Sequence, residues 1–222
     1  NAYKKKIVIG VLSQNNPDIE EPKSVDLNQV GTAAKILRLF KMPDGNLTVI
    51  IQGQKRFIVK RITQSNPYFE AEIEKFIEVK PQKNNQNFKA LVGSLRDVAL
   101  RIIKESPNIP SDASFAINNI ESDSFLVNFV SSNMNLKVSE KQKMLDEPNL
   151  FDRTKMVLKH LNKELSMLQM KNEIQSKVKS ELDDQQREYL LNQQLKTIQE
   201  ELGVNVFQEE IEKMRNSATR KK

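Results

Sequence analysis

Few residues in this chain could carry chemistry. It has no Cys and a single His, His160. Without cysteine there is no disulfide, no thiolate nucleophile and no cysteine-based zinc site. One histidine cannot build a multi-histidine metal site. His160 sits between Lys159 and Leu161 in a helical pattern, where an ordinary helix residue is the expected role. A Ser-His-Asp or Cys-His arrangement has no other histidine to draw on. Carboxylates are plentiful, but Glu70, Glu72 and Glu74 alternate along one strand-like run and Asp183-Asp184 lies in a polar helical stretch. Both read as solvated faces. The six glycines never fall as GxxxxGK[ST] or GxGxxG, and there is no GxSxG elbow. The sequence therefore predicts no catalytic, cofactor-binding or metal residues. What the chain does must lie in its surfaces.

The net charge is +6, and residues 1–86 hold most of it, with 14 Lys/Arg against 9 Asp/Glu, including Lys4, Lys5 and Lys6. A basic patch attracts nucleic acid without sequence preference. A solvated surface explains the same counts and is the stronger reading. No apolar run approaches the roughly 20 residues needed to span a bilayer, so no membrane partner is expected. The absence of Cys fits a cytoplasmic location. The chain starts at Asn1 without a secretory leader pattern.

The pattern divides the chain into parts. Residues 1–86 read as β-rich. Ile7–Leu12 is a short apolar run, and Ala34–Met42 interleaves apolar residues with Lys35, Arg38 and Lys41. Pro43-Asp44-Gly45 marks a turn. Leu47–Ile51 is expected to end at Gln52-Gly53, followed by an alternating strand over Arg56–Ile62 and another over Tyr68–Ile77. The aromatics Phe40, Phe57, Phe69 and Phe76 fall at core-like positions. Antiparallel hairpins with one buried face imply a small barrel or sandwich. Gln82–Asn87, QKNNQN, reads as a linker or surface loop.

Residues 87–148 switch to helical period and form a compact bundle. Phe88, Leu91, Val92, Leu95, Val98, Ala99, Ile102 and Ile103 make the first helix, ending before Pro107. Ser111 or Asp112, then Ser122 or Asp123, are candidate caps for the next two.

The segment 149–203 reads as one very long helix. About 54 residues, Asn149 to Leu202, contain neither Pro nor Gly, a length of roughly 80 Å if continuous. Its apolar stripe runs through Leu150, Thr154, Val157 or Leu158, Leu161, Leu165 and Leu168, then thins through Ile174, Val178 and Leu182. Leu191, Leu195, Ile198 and Leu202 return to a 4-3-4 spacing on one face, and Gly203 fits the C-cap position. Residues 204–222 read as a charged linker or tail. The expected class is α+β: a small antiparallel β domain, a helical bundle and a very long C-terminal helix.

The residues resemble a known family. Val30-Gly31-Thr32-Ala33-Ala34-Lys35-Ile36, the Pro43-Asp44-Gly45 hairpin, and Ile51-Gln52-Gly53-Gln54-Lys55-Arg56 are similar to the V-G-T-x-A-x-I, P-D-G and V-x-G-x-x-R elements of the amino-terminal domain of Lon, the ATP-dependent protease. Pro67-Tyr68 continues the pattern. Gln186–Gly203, QREYLLNQQLKTIQEELG, resembles the family's Q-R-E-Y-x-L-x-x-Q-x-K-x-I-x-x-E-L-G segment. The resemblance runs in order over nearly the whole chain.

It implies a PUA-like β domain and an opening proline-rich strand upstream of Asn1. It also implies that the modules using ATP and Mg, and the Ser-Lys protease, lie outside these residues. Implied partners are unfolded, damaged or degron-bearing proteins, and further copies of the chain in a hexamer. In that setting Met167 and Met170, flexible side chains where the stripe thins, are candidate client contacts. Tyr189, Leu191, Leu195, Ile198 and Leu202 are candidates for helix packing or assembly. A nucleic-acid-binding PUA-like module with weak DNA binding, and a structural coiled-coil adaptor, are the alternative expectations.

Overall fold

A computed structural model describes residues 7–219 apart from 44, 83, 111 and 203, without the side chains of 204–209 and 219. Lys4–Lys6, Asp44 of the expected turn, the candidate cap Ser111 and the candidate C-cap Gly203 lie outside the described residues.

Four antiparallel strands form one meander sheet, β1 (Val8–Val11), β2 (Val30–Lys41), β3 (Leu47–Gln64) and β4 (Glu70–Lys75), in that spatial order. Among the described residues no pairing joins β1 to β4. Gly45, with φ of 87°, takes the left-handed conformation in the β2–β3 turn, where its N–H donates to the Met42 carbonyl at 3.0 Å. The expected break at Gln52-Gly53 is a correction. The chain runs straight through as an 18-residue strand, and Gly53 pairs with Ala34 beside a bulge. A Cβ at Gly53 would stand 3.0 Å from the Thr32 methyl, so this glycine serves close approach across the ladder, not a turn.

The sheet is buried at one place only. Ala34 and Phe57 are in the core, and Gly31 lies against the Phe57 ring. A Cβ at Gly31 would fall 2.5 Å from the Val11 carbonyl oxygen and 2.5 Å from a Leu12 methyl. The expected burial of Phe40 and Phe69 is corrected: both are exposed, as is Ile73. The helices cover one stretch of β2 and β3, leaving the remainder of both strands and β4 open.

Five helices follow in the first unit's sequence order: α1 (Gln86–Glu105), α2 (Asp112–Asn118), α3 (Asp123–Asn133), α4 (Val138–Asp146) and α5 (Leu150–Glu201). The Asn-rich stretch expected as a linker supplies the α1 N-cap, with the Asn85 side chain accepting from the Phe88 N–H at 3.0 Å. Ser122 caps α3 in the same way. Phe88, Val92, Leu95, Ala99, Ile102 and Ile103 of α1 are buried, as are Leu126, Val127 and Val130 of α3 and Leu150, Val157, Leu161 and Leu165 of α5, and the Phe88 ring lies 6.2 Å from that of Phe151 on α5. The first turns of α5 therefore complete the bundle core.

By contacts the chain separates into residues 1–166 and 167–222. In the second unit, α5 continues to Glu201, and Leu202 donates to the Ile198 carbonyl at 2.9 Å. Residues 204–219, expected as a charged linker, form helix α6 (Val204–Thr219) instead. No Pro or Gly interrupts that stretch, so nothing in its sequence stops a helix.

Replacing Gly31 by Ala is expected to destabilise the fold by about 2–3 kcal/mol, because strand, Leu12 and Phe57 must all shift. A urea unfolding midpoint measures it; an unchanged midpoint would show that the contact is soft.

Candidate functional site

Polar chemistry in the first unit concentrates at one buried cluster. Arg56 comes from β3, Glu78 from the segment after β4, Ser124 from α3 and Arg153 from the first turn of α5. Glu78 Oε2 accepts from Arg56 at 2.9 Å and from Arg153 at 2.6 Å, and its Oε1 accepts from the Ser124 hydroxyl at 2.9 Å. The other Arg56 nitrogen donates to the carbonyls of Leu145 and Glu147 at 2.7 and 2.9 Å. Those carbonyls lie at the C-terminal end of α4, where unpaired acceptors and the helix dipole favour a cation. The Arg56 guanidinium also sits 4.0 Å above the Phe76 ring. Arg153 is 1% exposed.

The electrostatics follow from two cations sharing one anion. Burial, then the Arg153 charge, lowers the Arg56 pKa to about 10, against the pull of Glu78. Burial alone would raise Glu78. Hydrogen bonds from Arg153 and Ser124 and the two guanidinium charges outweigh it and hold the carboxyl below its ordinary 4.5. A carboxylate gripped this tightly is a structural clamp. Val79 completes the joint by pairing with Asn149 and exchanging backbone hydrogen bonds with Pro148 and Leu150.

The residues weighed for chemistry are dispersed. His160 is half-buried on α5, while Asp183 and Asp184 are exposed. Glu72 and Glu74 are exposed and pair with Arg61 and Lys60 at 2.9 Å each. Among the described residues no cluster of His, Cys, Asp or Glu could hold a metal ion. No helix among them is long and apolar enough to cross a membrane.

The apolar surface is the more informative feature. β1 pairs with β2 only as far as Lys35, and β4 pairs with β3 only from Phe57. The hairpin beyond those points has no further strand beside it among the described residues. It exposes Leu37, Leu39, Phe40, Met42, Leu47, Val49, Ile50 and Ile51. The register places Leu39 opposite Val49 and Ile36 opposite Ile51 on one face, with Phe40 and Ile50 on the other.

The second unit is exposed along nearly all of α5. Met167 and Met170 are 63% and 62% exposed. Met170, Ile174, Val178 and Leu182 recur at intervals of four, so each step turns about 40° past a full circle and the stripe winds around the helix. Tyr189, Leu191, Leu195, Ile198 and Leu202 are all more than half exposed. The sequence pointed to both groups. It did not point to Glu78 and Arg153, since buried charges look like surface charges in a one-dimensional pattern. Arg56 was visible only as a motif position.

The Glu78→Gln variant should lose about 3 kcal/mol, because two buried guanidinium groups lose their shared anion. Folded Glu78 stays ionised to lower pH than an unfolded Glu. Below about pH 4.5 the unfolded chain binds the extra proton, and stability falls as pH falls. Urea midpoints across acid pH should drop more steeply for the native chain than for the variant; parallel profiles would contradict the assignment.

Comparison with known proteins places this arrangement. The sequence profile of the ATP-dependent protease La (LON) substrate-binding domain matches residues 1–163. The Lon protease of Flavobacterium johnsoniae is 53% identical over 215 residues, covering 97% of this chain and 26% of the relative. That of Cytophaga hutchinsonii is 42% identical over 220 residues, 99% of this chain and 27% of the relative. The chain thus spans about a quarter of the length of these curated relatives. The solved N-terminal domain of Mycobacterium avium complex Lon protease superposes with a TM-score of 0.53 at 14% identity, over 70% of this chain and 90% of that one. At that identity the likeness speaks for the fold alone.

Proposed function

This chain belongs to the family of the ATP-dependent protease La (LON) substrate-binding domain, and we propose on that footing that it captures unfolded or degron-bearing proteins for a Lon-type protease of the cytoplasm. In this reading it also helps assemble the enzyme as a hexamer and passes clients toward the ATPase pore. It breaks no bonds itself; ATP, Mg and peptide hydrolysis belong to modules beyond these residues.

The observation that carries the reading is uncovered apolar surface made of adaptable side chains. Met167 and Met170 stand more than half exposed immediately past the last buried residue of α5, Leu165. Methionine is unbranched and polarizable, so it conforms to many apolar partners without selecting one shape. A client that has lost its fold offers the matching chemistry, and contiguous exposed apolar surface marks interaction sites in general. Tyr189, Leu191, Leu195, Ile198 and Leu202 have the spacing for packing against another helix, and assembly is their proposed role. Charge-driven nucleic-acid binding has less support, because Lys60 and Arg61 on β3 are paired with Glu74 and Glu72.

The test is binding of a labelled, permanently unfolded protein at low and high salt, beside the same protein folded. Selective, salt-resistant binding is expected, since apolar contacts are not screened. Changing Met167 and Met170 together to Ser should weaken it several-fold. Binding that disappears with salt, or equal binding of the folded form, would refute client capture by this chain.

A further inference from the structure

The helical bundle holds a feature that its own packing does not use. A cavity of about 210 Å³ opens between the helices of the first unit. Its walls include Ala99 and Ile103 of α1, Ala113 and Ile117 of α2, Phe129 of α3 and Leu161 of α5. Among the described residues only Asn133 and Glu164 bring polar side chains to it, and no Lys or Arg among them lines it. A dry apolar cavity of roughly 150 Å³ is enough to take a benzene ring. This one therefore fits a single large side chain and is too small for a drug-sized ligand. At the wall, Phe129 lies 6.3 Å from Phe125, centroid to centroid, and Phe125 is 57% exposed. The apolar surface thus extends outward from the cavity wall.

Charge narrows the occupant. Between Lys104 and Lys137 the chain carries Glu105, Asp112, Glu121 and Asp123 and no Lys or Arg. That stretch builds α2 and α3, two of the four walled sides, in a chain whose net charge is +6. Among the described residues Glu164 is the one charged residue lining the cavity. Cations from other elements offset part of that charge, since Arg96 donates to the carbonyls of Ile117 and Ile120 and Lys141 to that of Ser132, so the charge an approaching polypeptide meets at the cavity itself is that of Glu164.

We propose that this cavity is a subsite for one large apolar side chain, Phe, Leu or Met, of an unfolded protein segment that carries Lys or Arg next to it, with the cation seated toward Glu164. The proposal rests on the client-capture reading above and adds a sequence preference to it. Apolar burial supplies the affinity, and Glu164 discriminates among flanking charges.

The experiment uses the full 222-residue chain and short labelled Gly/Ser peptides containing one Phe flanked by two Lys. Counterparts replace Phe by Ala, or both Lys by Glu. The Phe/Lys peptide should bind at least about tenfold more tightly than either. Ala113→Leu fills the cavity from a half-exposed position and should weaken that peptide about tenfold. Glu164→Lys should abolish or reverse the preference for Lys over Glu. Melting curves check that both variants fold. Independently of any variant, the peptide should shift the methyl resonances of Ile103, Ile117 and Leu161 in the native chain. Unshifted methyls, or equal affinity for all three peptides, would overturn the subsite. If the native chain still binds the unfolded protein in that case, client capture stands and only the cavity assignment falls. If the native chain binds neither peptide nor unfolded protein, both fall together.

Discussion

Two guanidinium groups and one carboxylate meet where strand, connecting segment and helices converge, and the first unit depends on that meeting. A charge removed from water is costly unless its partners are fixed in advance. Here they are fixed by different elements: Arg56 by β3, Arg153 by α5, Ser124 by α3, and the receiving carbonyls by the end of α4. Each element holds the others in the arrangement that pairs the three charges, although the buried Arg153 Nε is left without a hydrogen-bond partner. Apolar contact alone could tolerate a range of slides between sheet and helices. The cluster and the neighbouring Gln142 do not. Gln142 accepts from the Ser13 hydroxyl at 2.7 Å and donates to the Val30 carbonyl at 3.0 Å. Directional bonds of this kind set register, whereas burial supplies most of the stability.

The division of labour leaves much of the sheet free. Only the end near Gly31, Ala34 and Phe57 is used for packing. The remainder of the β2–β3 hairpin carries apolar residues on both faces. That pattern belongs to a strand expecting cover, and the covered and uncovered portions lie on the same two strands. The same economy governs α5, whose buried stripe ends at Leu165.

Local order was the most legible part of the sequence. The period of α1 and the Pro107 stop, a cap at Ser122 or its neighbour Asp123, and the stripe through Leu150, Thr154, Leu161 and Leu165 all follow from rules that act within a few residues. The family resemblance rested on similarly local motifs. Legibility failed where distant residues decide. Gly53 looks like a turn because glycine often is one, and only pairing with Ala34 reveals a close approach. Phe40 and Phe69 alternate correctly for a core, but alternation does not say whether anything covers the face. Arg153 sits in an amphipathic helix at a position indistinguishable from a solvated one. Its burial follows from Glu78, 75 residues earlier in the chain. The cavity among α1, α2, α3 and α5 is likewise invisible in a linear pattern, because it is space that no residue fills.

The buried cluster also has a kinetic meaning. Each strand pairs with its neighbour in sequence, and each helix forms from local contacts, so these pieces can assemble with little loop entropy. The hydrogen bonds of the cluster close sequence separations of 75, 89 and 91 residues. Closing them carries the loop entropy of joining sheet to helices, whereas the Arg56–Glu78 bond spans only 22 residues. Interactions made late are absent from the folding transition state, so losing them accelerates unfolding more than it slows folding. To the extent that its long-range bonds close last, the clamp is expected to act as a brake on opening, setting how long the assembled lobe survives each thermal fluctuation more than how quickly it is first made.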